Sequence, residues 1–180
     1  GDHVDRIRTE WARERPDLDV SPVEVIGRLH RLAAALTVEL ETVFRQHGLG
    51  EGDFDVLAAL RRVGAPFERR PSEIAEHTMV TTGAVTKRLD RLEAAGLVQR
   101  RASETDGRGR VVALTPRGRE VIDEAFADHV ANEQRLVSSL PTADRAALAR
   151  ILRTWLAALD SPVAERGSEA TESKRNPGQA

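Results

Sequence analysis

Residues 70–114 arrange two short helices and a hairpin in an order that few folds accommodate. Pro71 is favoured in the first turn of a helix, and a turn then separates this helix from a second one predicted for residues 81–95. Residues 97–100 and 111–114 are predicted to be strands, and they flank the turn-forming segment ETDGRG. Helix, turn, helix and hairpin in this order predict a winged helix-turn-helix, within a protein that is mainly α with a small β-hairpin.

The second of these helices has an apolar face and a polar face. Val85, Leu89 and Leu92 recur at helical spacing and are expected to be buried. The remaining faces carry hydroxyl and basic side chains, which suit phosphates and base edges in a major groove. Together with arginines of the wing, the candidate DNA-binding residues are Thr81, Thr82, Thr86, Lys87, Arg91, Arg108 and Arg110. A charged helix face taken alone is more often merely solvated, but the order of the elements favours double-stranded DNA.

The run from Leu92 to Arg119 carries a recognisable motif. It reads LxxxGLVxRRxxxxDxRxxxVxLTPxGR, with Asp106 and Arg108 in the wing. On this motif the chain resembles the MarR family of winged helix-turn-helix regulators, and the resemblance extends over about residues 21–159. It implies an obligate homodimer that binds a pseudo-palindromic operator.

Composition limits the chemistry of the chain. A length of 180 residues with 40% hydrophobic content permits one domain with a core. The absence of cysteine excludes disulfides, thiol redox sensing and cysteine metal sites. Because the net charge is only −2, the case for DNA rests on the basic residues concentrated between positions 87 and 119. Without a long apolar run or a cleavable signal, a cytoplasmic protein with no membrane partner is expected.

Motifs of enzyme chemistry are missing from the sequence. There is no GxSxG, HExxH or Walker loop, and no GxGxxG that follows a strand. The five histidines form no pair spaced four residues apart on a helix. No catalytic residue, metal site or cofactor is therefore predicted, and the chain is not expected to be an enzyme.

Long amphipathic helices flank the winged helix. Ser21 as N-cap, Pro22 in the first turn and Glu24 predict the start of a helix that runs to about Gln46. The residues expected to form its buried stripe are Ile26, Leu29, Leu32, Leu36, Leu40 and Val43. Two further helices, predicted for about 116–140 and 144–159, are expected to form the dimer interface together with a helix near the N-terminus.

These predictions divide the chain into three parts. Residues 1–20 hold an added N-terminal helix, and residues 21–160 form a winged-helix and dimerisation domain. The DNA-binding core lies at about 53–115. The segment 161–180 is polar and lacks apolar periodicity, which predicts a disordered tail.

A small-ligand site is suggested by a closer resemblance. Within the MarR family the chain is most similar to the urate-responsive branch, the HucR, PecS and TamR group, which has an added N-terminal helix. In that branch four residues are implicated in ligand response: a Trp on the added helix, an Asp early in the third helix, and an Arg in each of the recognition helix and the first wing strand. The matching residues in this chain are Trp11, Asp55, Arg88 and Arg100.

The chemistry of these residues fits a planar anion. Trp11 supplies a flat apolar wall and Arg100 a fixed cation. Asp55 is expected to hold Arg88 until an anion that occupies Arg100 disturbs this contact and shifts the recognition helix. A tenfold loss of DNA affinity requires about 1.4 kcal/mol of coupling. Urate, another purine, or a carboxylate such as trans-aconitate all fit this description.

Other interpretations of the same residues stay open. Asp55 and Arg88 form a purely structural ion pair in one of them, while Arg100 contacts phosphate and Trp11 only packs. For the whole protein, a ligand-responsive repressor is the leading prediction. The alternatives are a winged-helix dimer without an effector and a module that binds protein.

Overall fold

The described part of the chain confirms the predicted fold class. In this computed structural model it comprises residues 1–78, 82–104 and 109–160, without the side chains of Glu51 and Thr82. The helices are α1 (His3–Glu14), α2 (Val23–Gln46), α3 (Glu51–Arg62), α4 (Pro71–Glu76), α5 (Thr82–Ala94), α6 (Pro116–Val137) and α7 (Thr142–Asp160), and the strands are β1 (Glu68–Arg69), β2 (Val98–Ala102) and β3 (Arg110–Leu114). The predicted tail, 161–180, lies outside the described residues. The chain divides into two structural units, residues 1–134 and residues 135–180.

The wing is a three-stranded antiparallel sheet with the order β1-β3-β2. The predicted hairpin is confirmed, with Arg100 paired to Val112 across β2 and β3. The short strand β1 was not predicted, because two residues carry no detectable alternation. It pairs with β3 through Glu68 and Arg69 and thereby closes the far edge of the sheet.

The core of the first unit lies between the helices of the winged helix and the end of α2. The rings of Phe44 on α2 and Phe54 on α3 stack with their centroids 4.2 Å apart. Val85, Leu89 and Leu92 of α5 are all buried, which confirms the apolar face predicted from their spacing. The core residues are Phe44, Leu49, Phe54, Val56, Leu57, Leu60, Ile74, Val85, Leu89, Leu92, Leu97, Val98, Val112, Leu114, Ile122 and Ala125.

The start of α2 corrects the predicted cap. Pro22 takes the N-cap position and no side chain caps the helix. The Ser21 hydroxyl donates to Asp19 Oδ2 at 3.1 Å, and the Ser21 N–H donates to Asp19 Oδ1 at 2.9 Å. An Asp two residues earlier thus competes successfully for the serine, as short polar side chains often do in turns.

The predicted buried stripe of α2 is only partly buried within the chain. Val43 lies in the core, but Ile26 and Leu32 are 44% and 50% exposed, and neighbouring Val38 is 60% exposed. These three side chains are therefore apolar groups in water, and steps of six residues point them to different sides of α2. A helix that carries apolar side chains all round is typically buried, so contacts beyond this chain are expected around α2.

The added helix α1 packs against the first part of α2. Val4 is buried, and a Cβ placed on Gly27 would lie 3.2 Å from its Cγ1, so the two backbones approach closely at this point. Arg28 donates to Asp5 Oδ1 at 2.7 Å and to Asp2 Oδ2 at 2.9 Å. These contacts fix the position of α1 on α2.

Two long helices complete the chain. The predicted N-cap of α6 is confirmed, because Thr115 Oγ1 accepts a hydrogen bond from the Gly118 N–H at 2.9 Å. In the second unit, α7 buries none of its residues. Among the described residues, no helix is both long and apolar enough to cross a bilayer.

Candidate DNA-binding surface and ligand site

Helix α5 presents a polar face beside its buried one. Thr86 and Lys87 are exposed on this face, as a helix that enters a groove requires. Arg110 is exposed at the start of β3. The DNA contacts of these three residues remain predictions. The exposure of the three side chains is compatible with such contacts.

Three other candidate DNA-binding residues lie at the edges of the described chain. Thr81 and Arg108 fall outside the described residues, and so does the side chain of Thr82. The tip of the wing, 105–108, falls outside them too. The roles of these residues stay predictions.

The base of the wing contains a buried carboxylate that the sequence did not single out. Glu68 on β1 accepts a hydrogen bond from the Ser103 hydroxyl at 2.7 Å and pairs with Arg101 at 3.0 Å. Its side chain is 6% exposed. Because burial of an unpaired charge is costly, the pair ties β1 firmly to the end of β2, where the wing begins.

Arg91, a candidate DNA contact, is already engaged within the protein. Its guanidinium donates to Asp53, which is buried at the start of α3. Asp53 also accepts the Gly50 N–H at 2.9 Å, so one carboxylate both caps α3 and holds a residue of α5. A phosphate that contacts Arg91 would therefore compete with Asp53.

Arg88 crosses the same junction. Its Nη1 lies 3.6 Å from Asp53 Oδ1. A Cβ added to Gly52 would lie 2.1 Å from the Arg88 Cζ, so only glycine leaves room for the guanidinium there. The Nε of Arg88 is buried and has no hydrogen-bond partner among the described residues.

Asp53, two residues before the predicted partner Asp55, is thus a carboxylate beside Arg88 that was not predicted. Asp55 is half-buried on α3. The predicted contact between Asp55 and Arg88 stays a prediction, while the Asp53 contact is a feature of the structure.

Arg100 lies at the centre of a second ion-pair cluster. Its Nη2 is 2.7 Å from Asp90 Oδ1, and its Nη1 is 2.5 Å from Glu93 Oε2, so β2 is tied to α5. Asp90 and then Glu93 raise the pKa of the Arg100 guanidinium above its ordinary value. The Arg100 N–H and then its guanidinium lower the pKa of Glu93. An anionic ligand must displace these carboxylates to reach Arg100.

Within one chain, Trp11 lies away from the ion-pair cluster of Arg100. It is on α1 and 53% exposed. The helix contacts described for α1 are with α2. Arg88 and Arg100 therefore both bear on α5 but at different sides of it, since Arg88 faces Asp53 and Arg100 contacts Asp90 and Glu93. Trp11 lies on a different helix pair, α1 and α2.

Two open grooves on the first unit lie elsewhere. One has a volume of about 420 Å³ and lies beside Phe67 and Arg119. The other has a volume of about 300 Å³ and lies between Ala58 and Phe126. Neither is lined by any of the four predicted ligand residues.

Comparison with known proteins gives a consistent result. A model of the MarR family matches residues 47–109. The HTH-type transcriptional regulator PecS of Dickeya dadantii (strain 3937) is 39% identical over 149 residues, which cover 83% of this chain and 90% of PecS. AbsC, a MarR family transcriptional regulator from Streptomyces coelicolor, has a TM-score of 0.69 at 27% identity, covering 79% of this chain and 97% of AbsC. A structure of Bordetella bronchiseptica BpsR, which concerns regulation of its DNA binding by 6-hydroxynicotinic acid, has a TM-score of 0.63 at 25% identity, covering 73% and 91%.

Proposed function

Since the chain belongs to the MarR family of transcriptional regulators, we propose that it is a homodimeric repressor whose operator binding is attenuated by a small planar anion such as urate. Its relatives are regulators and not enzymes. A cytoplasmic location is part of this proposal. One observation supports ligand control above the others: Arg88 of α5 is partly buried at the junction with α3, and within the described part of the chain its Nε has no hydrogen-bond partner.

DNA binding is proposed to use the exposed face of α5 and the wing. Thr86 and Lys87 would contact bases or phosphates in a major groove, with Thr81, Thr82 and Arg91 beside them. Arg108 and Arg110 would contact the adjacent backbone or groove from the wing. Two copies of this surface, related by a two-fold axis, match an operator with approximate two-fold symmetry.

The proposed dimer covers the exposed apolar side chains of α2. Ile26, Leu32 and Val38 are all more than 40% exposed in one chain. Burial of apolar area stabilises an interface by about 25 cal/mol per Å². A second copy of the chain supplies the same apolar side chains, as isologous two-fold interfaces require.

The proposed ligand is a planar anion because of the groups available to it. Arg88 and Arg100 carry positive charge on or against α5, and Trp11 offers an exposed aromatic face. Asp55 is proposed to respond with Arg88 when the ligand binds. The relative BpsR, with its response to 6-hydroxynicotinic acid, gives a precedent for a planar heterocyclic acid.

Coupling between the two sites would pass through α5. An anion on Arg100 competes with Asp90 and Glu93, both of which belong to α5. A change at Arg88 is transmitted to the same helix through the junction with Asp53. A tenfold fall in DNA affinity requires about 1.4 kcal/mol of coupling between the two sites.

Binding to duplex DNA from upstream of the protein's own gene tests the proposal. Fluorescence anisotropy at near-physiological salt, with and without urate, should show tight binding that urate relieves. Trp11→Ala and Arg100→Ala should bind the same duplex but lose the urate response. Tight binding that no planar anion relieves would leave a regulator without this effector, and no binding to any duplex at low salt would favour a protein-interaction module.

A further inference from the structure

We propose that Glu68, on the edge strand β1, is a positioning residue for the wing: its carboxylate holds the end of β2, so that the wing is already ordered when it meets DNA. The inference deepens the proposed function and rests on it, because it concerns the same DNA-binding surface. It follows from the register of the sheet and from the donors that meet on this one buried carboxylate.

The wing narrows from three strands to two towards its tip. Strand β1 pairs with β3 at Ala113 and Val112, whereas β2 and β3 stay paired as far as Ala102 and Arg110. The part of the wing next to its tip is therefore a two-stranded ribbon. A ribbon of two strands is at best marginally stable in water unless other groups support it.

The side chain of Glu68 extends across the central strand β3. Glu68 lies opposite Ala113, and Ala113 lies opposite Gln99 on β2, so these three residues share one face of the sheet. Arg101, two residues after Gln99, lies on the same face. Since neighbouring strands are about 4.8 Å apart, the contact between Glu68 and Arg101 joins strands that are separated by roughly 10 Å. Two long side chains are needed to close this distance.

Three donors from one short stretch of chain meet on the Glu68 carboxylate. Arg101 Nη1 lies 3.0 Å from Glu68 Oε2. The Ser103 hydroxyl donates to Oε1 at 2.7 Å, and the Glu104 N–H donates to Oε2 at 3.4 Å. These donors lie at the end of β2 and directly after it. Glu68 thus supports the two-stranded ribbon beyond the level at which β1 pairs with β3.

Burial makes this support specific. The side chain of Glu68 is 6% exposed and that of Arg101 is 21% exposed. A buried carboxylate without its donors would be costly, so Glu68 favours the one arrangement of β2 that supplies them. Because Glu68 is almost covered, its effect on DNA binding would pass through the strand that it holds.

The stretch held by Glu68 leads directly to a candidate DNA contact. Ala102, between Arg101 and Ser103, pairs with Arg110, which is exposed. The Ser103 N–H donates to the Gly109 oxygen at 3.2 Å, so the returning chain is tied to the same place. Ordering these residues before DNA arrives removes an entropy cost that binding would otherwise carry.

Charge and position predict opposite effects for Glu68→Gln. The substitution removes a negative charge near a polyanion, which by electrostatics alone would tighten DNA binding. Release of the wing should instead weaken operator binding by about tenfold, the order of the cost of fixing the backbone of one residue. Fluorescence anisotropy on the operator duplex measures the change, and binding as tight as that of the wild type, or tighter, would overturn the inference.

Glu104→Gln is the matched control for this charge. Its carboxylate is 63% exposed and belongs to the same segment, and its N–H, which donates to Glu68, is unchanged. It should bind the operator at least as tightly as the wild type. A loss equal to that of Glu68→Gln would show that any carboxylate beside the wing has the same effect, and would contradict a positioning role for Glu68.

Glu68→Asp separates the reach of the side chain from its charge. Aspartate keeps the charge but is one methylene shorter, so it should not span β3 and should also weaken operator binding. Wild-type affinity of this variant would show that a charge at position 68 is sufficient, against the inference.

A double-mutant cycle with Arg110→Ala shows whether Glu68 acts through the wing. If it does, Arg110→Ala should cost clearly less affinity in the Glu68→Gln protein than in the wild type. Equal costs would mean that Arg110 meets DNA equally well without Glu68, and the inference would fail.

Hydrogen exchange in the absence of DNA distinguishes positioning from a general loss of structure. The Ser103 amide should exchange faster in Glu68→Gln than in the wild type, while the amides of Leu89 and Leu92 in α5 keep their protection. Unchanged exchange at Ser103, or equal acceleration in α5, would refute the positioning role. A wild-type chain that binds no duplex would contradict the proposed function instead, and exchange at Ser103 would still test the hold of Glu68 on the wing.

Discussion

The start of α3 contains three residues with different structural roles, namely Gly50, Gly52 and Asp53. Gly50 is the N-cap of α3 and donates its N–H to Asp53. Gly52 leaves the space that the Arg88 guanidinium fills. Asp53 binds Arg91 and lies near Arg88, so the start of α3 fixes the middle of α5.

Asp53→Asn should destabilise the protein by about 1 to 3 kcal/mol, because hydrogen bonds to charged partners contribute about this much. The amide keeps the shape and can still accept the Gly50 N–H, so the loss reports on Arg88 and Arg91. Urea unfolding measures it. In an Arg88→Ala, Arg91→Ala background the same change should cost much less, and an equal cost would contradict the assignment.

Gly52→Ala should displace Arg88 from the α3 junction and weaken the ligand response and operator binding. The added Cβ would meet Arg88 Cζ at 2.1 Å. Since the end of a flexible side chain can move, folding should be affected less than function. Operator titrations by anisotropy measure the effect. When Arg88 is already Ala, Gly52→Ala should have no further effect, and additive losses would show that the clash is elsewhere.

At the scale of the element, α1 is held on α2 by charges that depend on pH. The Asp5 N–H and then Arg28 hold the pKa of Asp2 below its ordinary value of 3.8. The Asp2 N–H and then Arg28 do the same for Asp5. Because both folded pKa values are depressed, these carboxylates support the packing of α1 above 3.8, and this support is lost as the pH falls through the folded values.

Carboxyl titration by NMR should therefore give midpoints below 3.8 for Asp2 and Asp5. Arg28→Ala should raise both midpoints, but only in part, since the reciprocal backbone hydrogen bonds remain. Midpoints at or above 3.8 in the wild-type protein would show that the capping contacts at the start of α1 do not form in solution.

Recognition by α5 is tested by the salt dependence of operator binding. Lys87→Ala should weaken binding and flatten the plot of log K against log salt by about two, because each of two phosphate contacts per dimer releases about 0.9 counterion. Arg6→Ala removes the same charge from an exposed position on α1 and should leave the slope unchanged. An unaltered slope for Lys87→Ala would count against a phosphate contact.

At the scale of the whole molecule, the exposed apolar side chains of α2 predict that the subunits associate through this helix. Leu32→Glu places a charge among these side chains, where the proposed dimer would bury it. Sedimentation velocity should show a shift towards monomer, and operator affinity should fall with it. Leu18→Glu makes the same change at an exposed leucine before α2 and should stay dimeric. A dimeric Leu32→Glu variant would place the interface elsewhere.

Local patterns in the sequence were sufficient to predict most of the elements of the winged helix. The spacing of Val85, Leu89 and Leu92 predicted the buried face of α5, and turn chemistry predicted the β2–β3 hairpin. Thr115 before Pro116 predicted the cap of α6. Each depends on neighbours within a few residues, whose steric and hydrogen-bonding preferences act in any fold.

Contacts between distant segments were decided by the tertiary structure alone. The packing of α3 on α5 puts Asp53 beside Arg88, a contact that no local pattern predicted. Strand β1 and the burial of Glu68 depend on pairing with β3 and Arg101. Residues two apart on a helix differ by about 200° in direction, so which carboxylate meets an arginine 35 residues away depends on how the helices cross. Periodicity defines the faces of each helix, and only packing decides what each face meets.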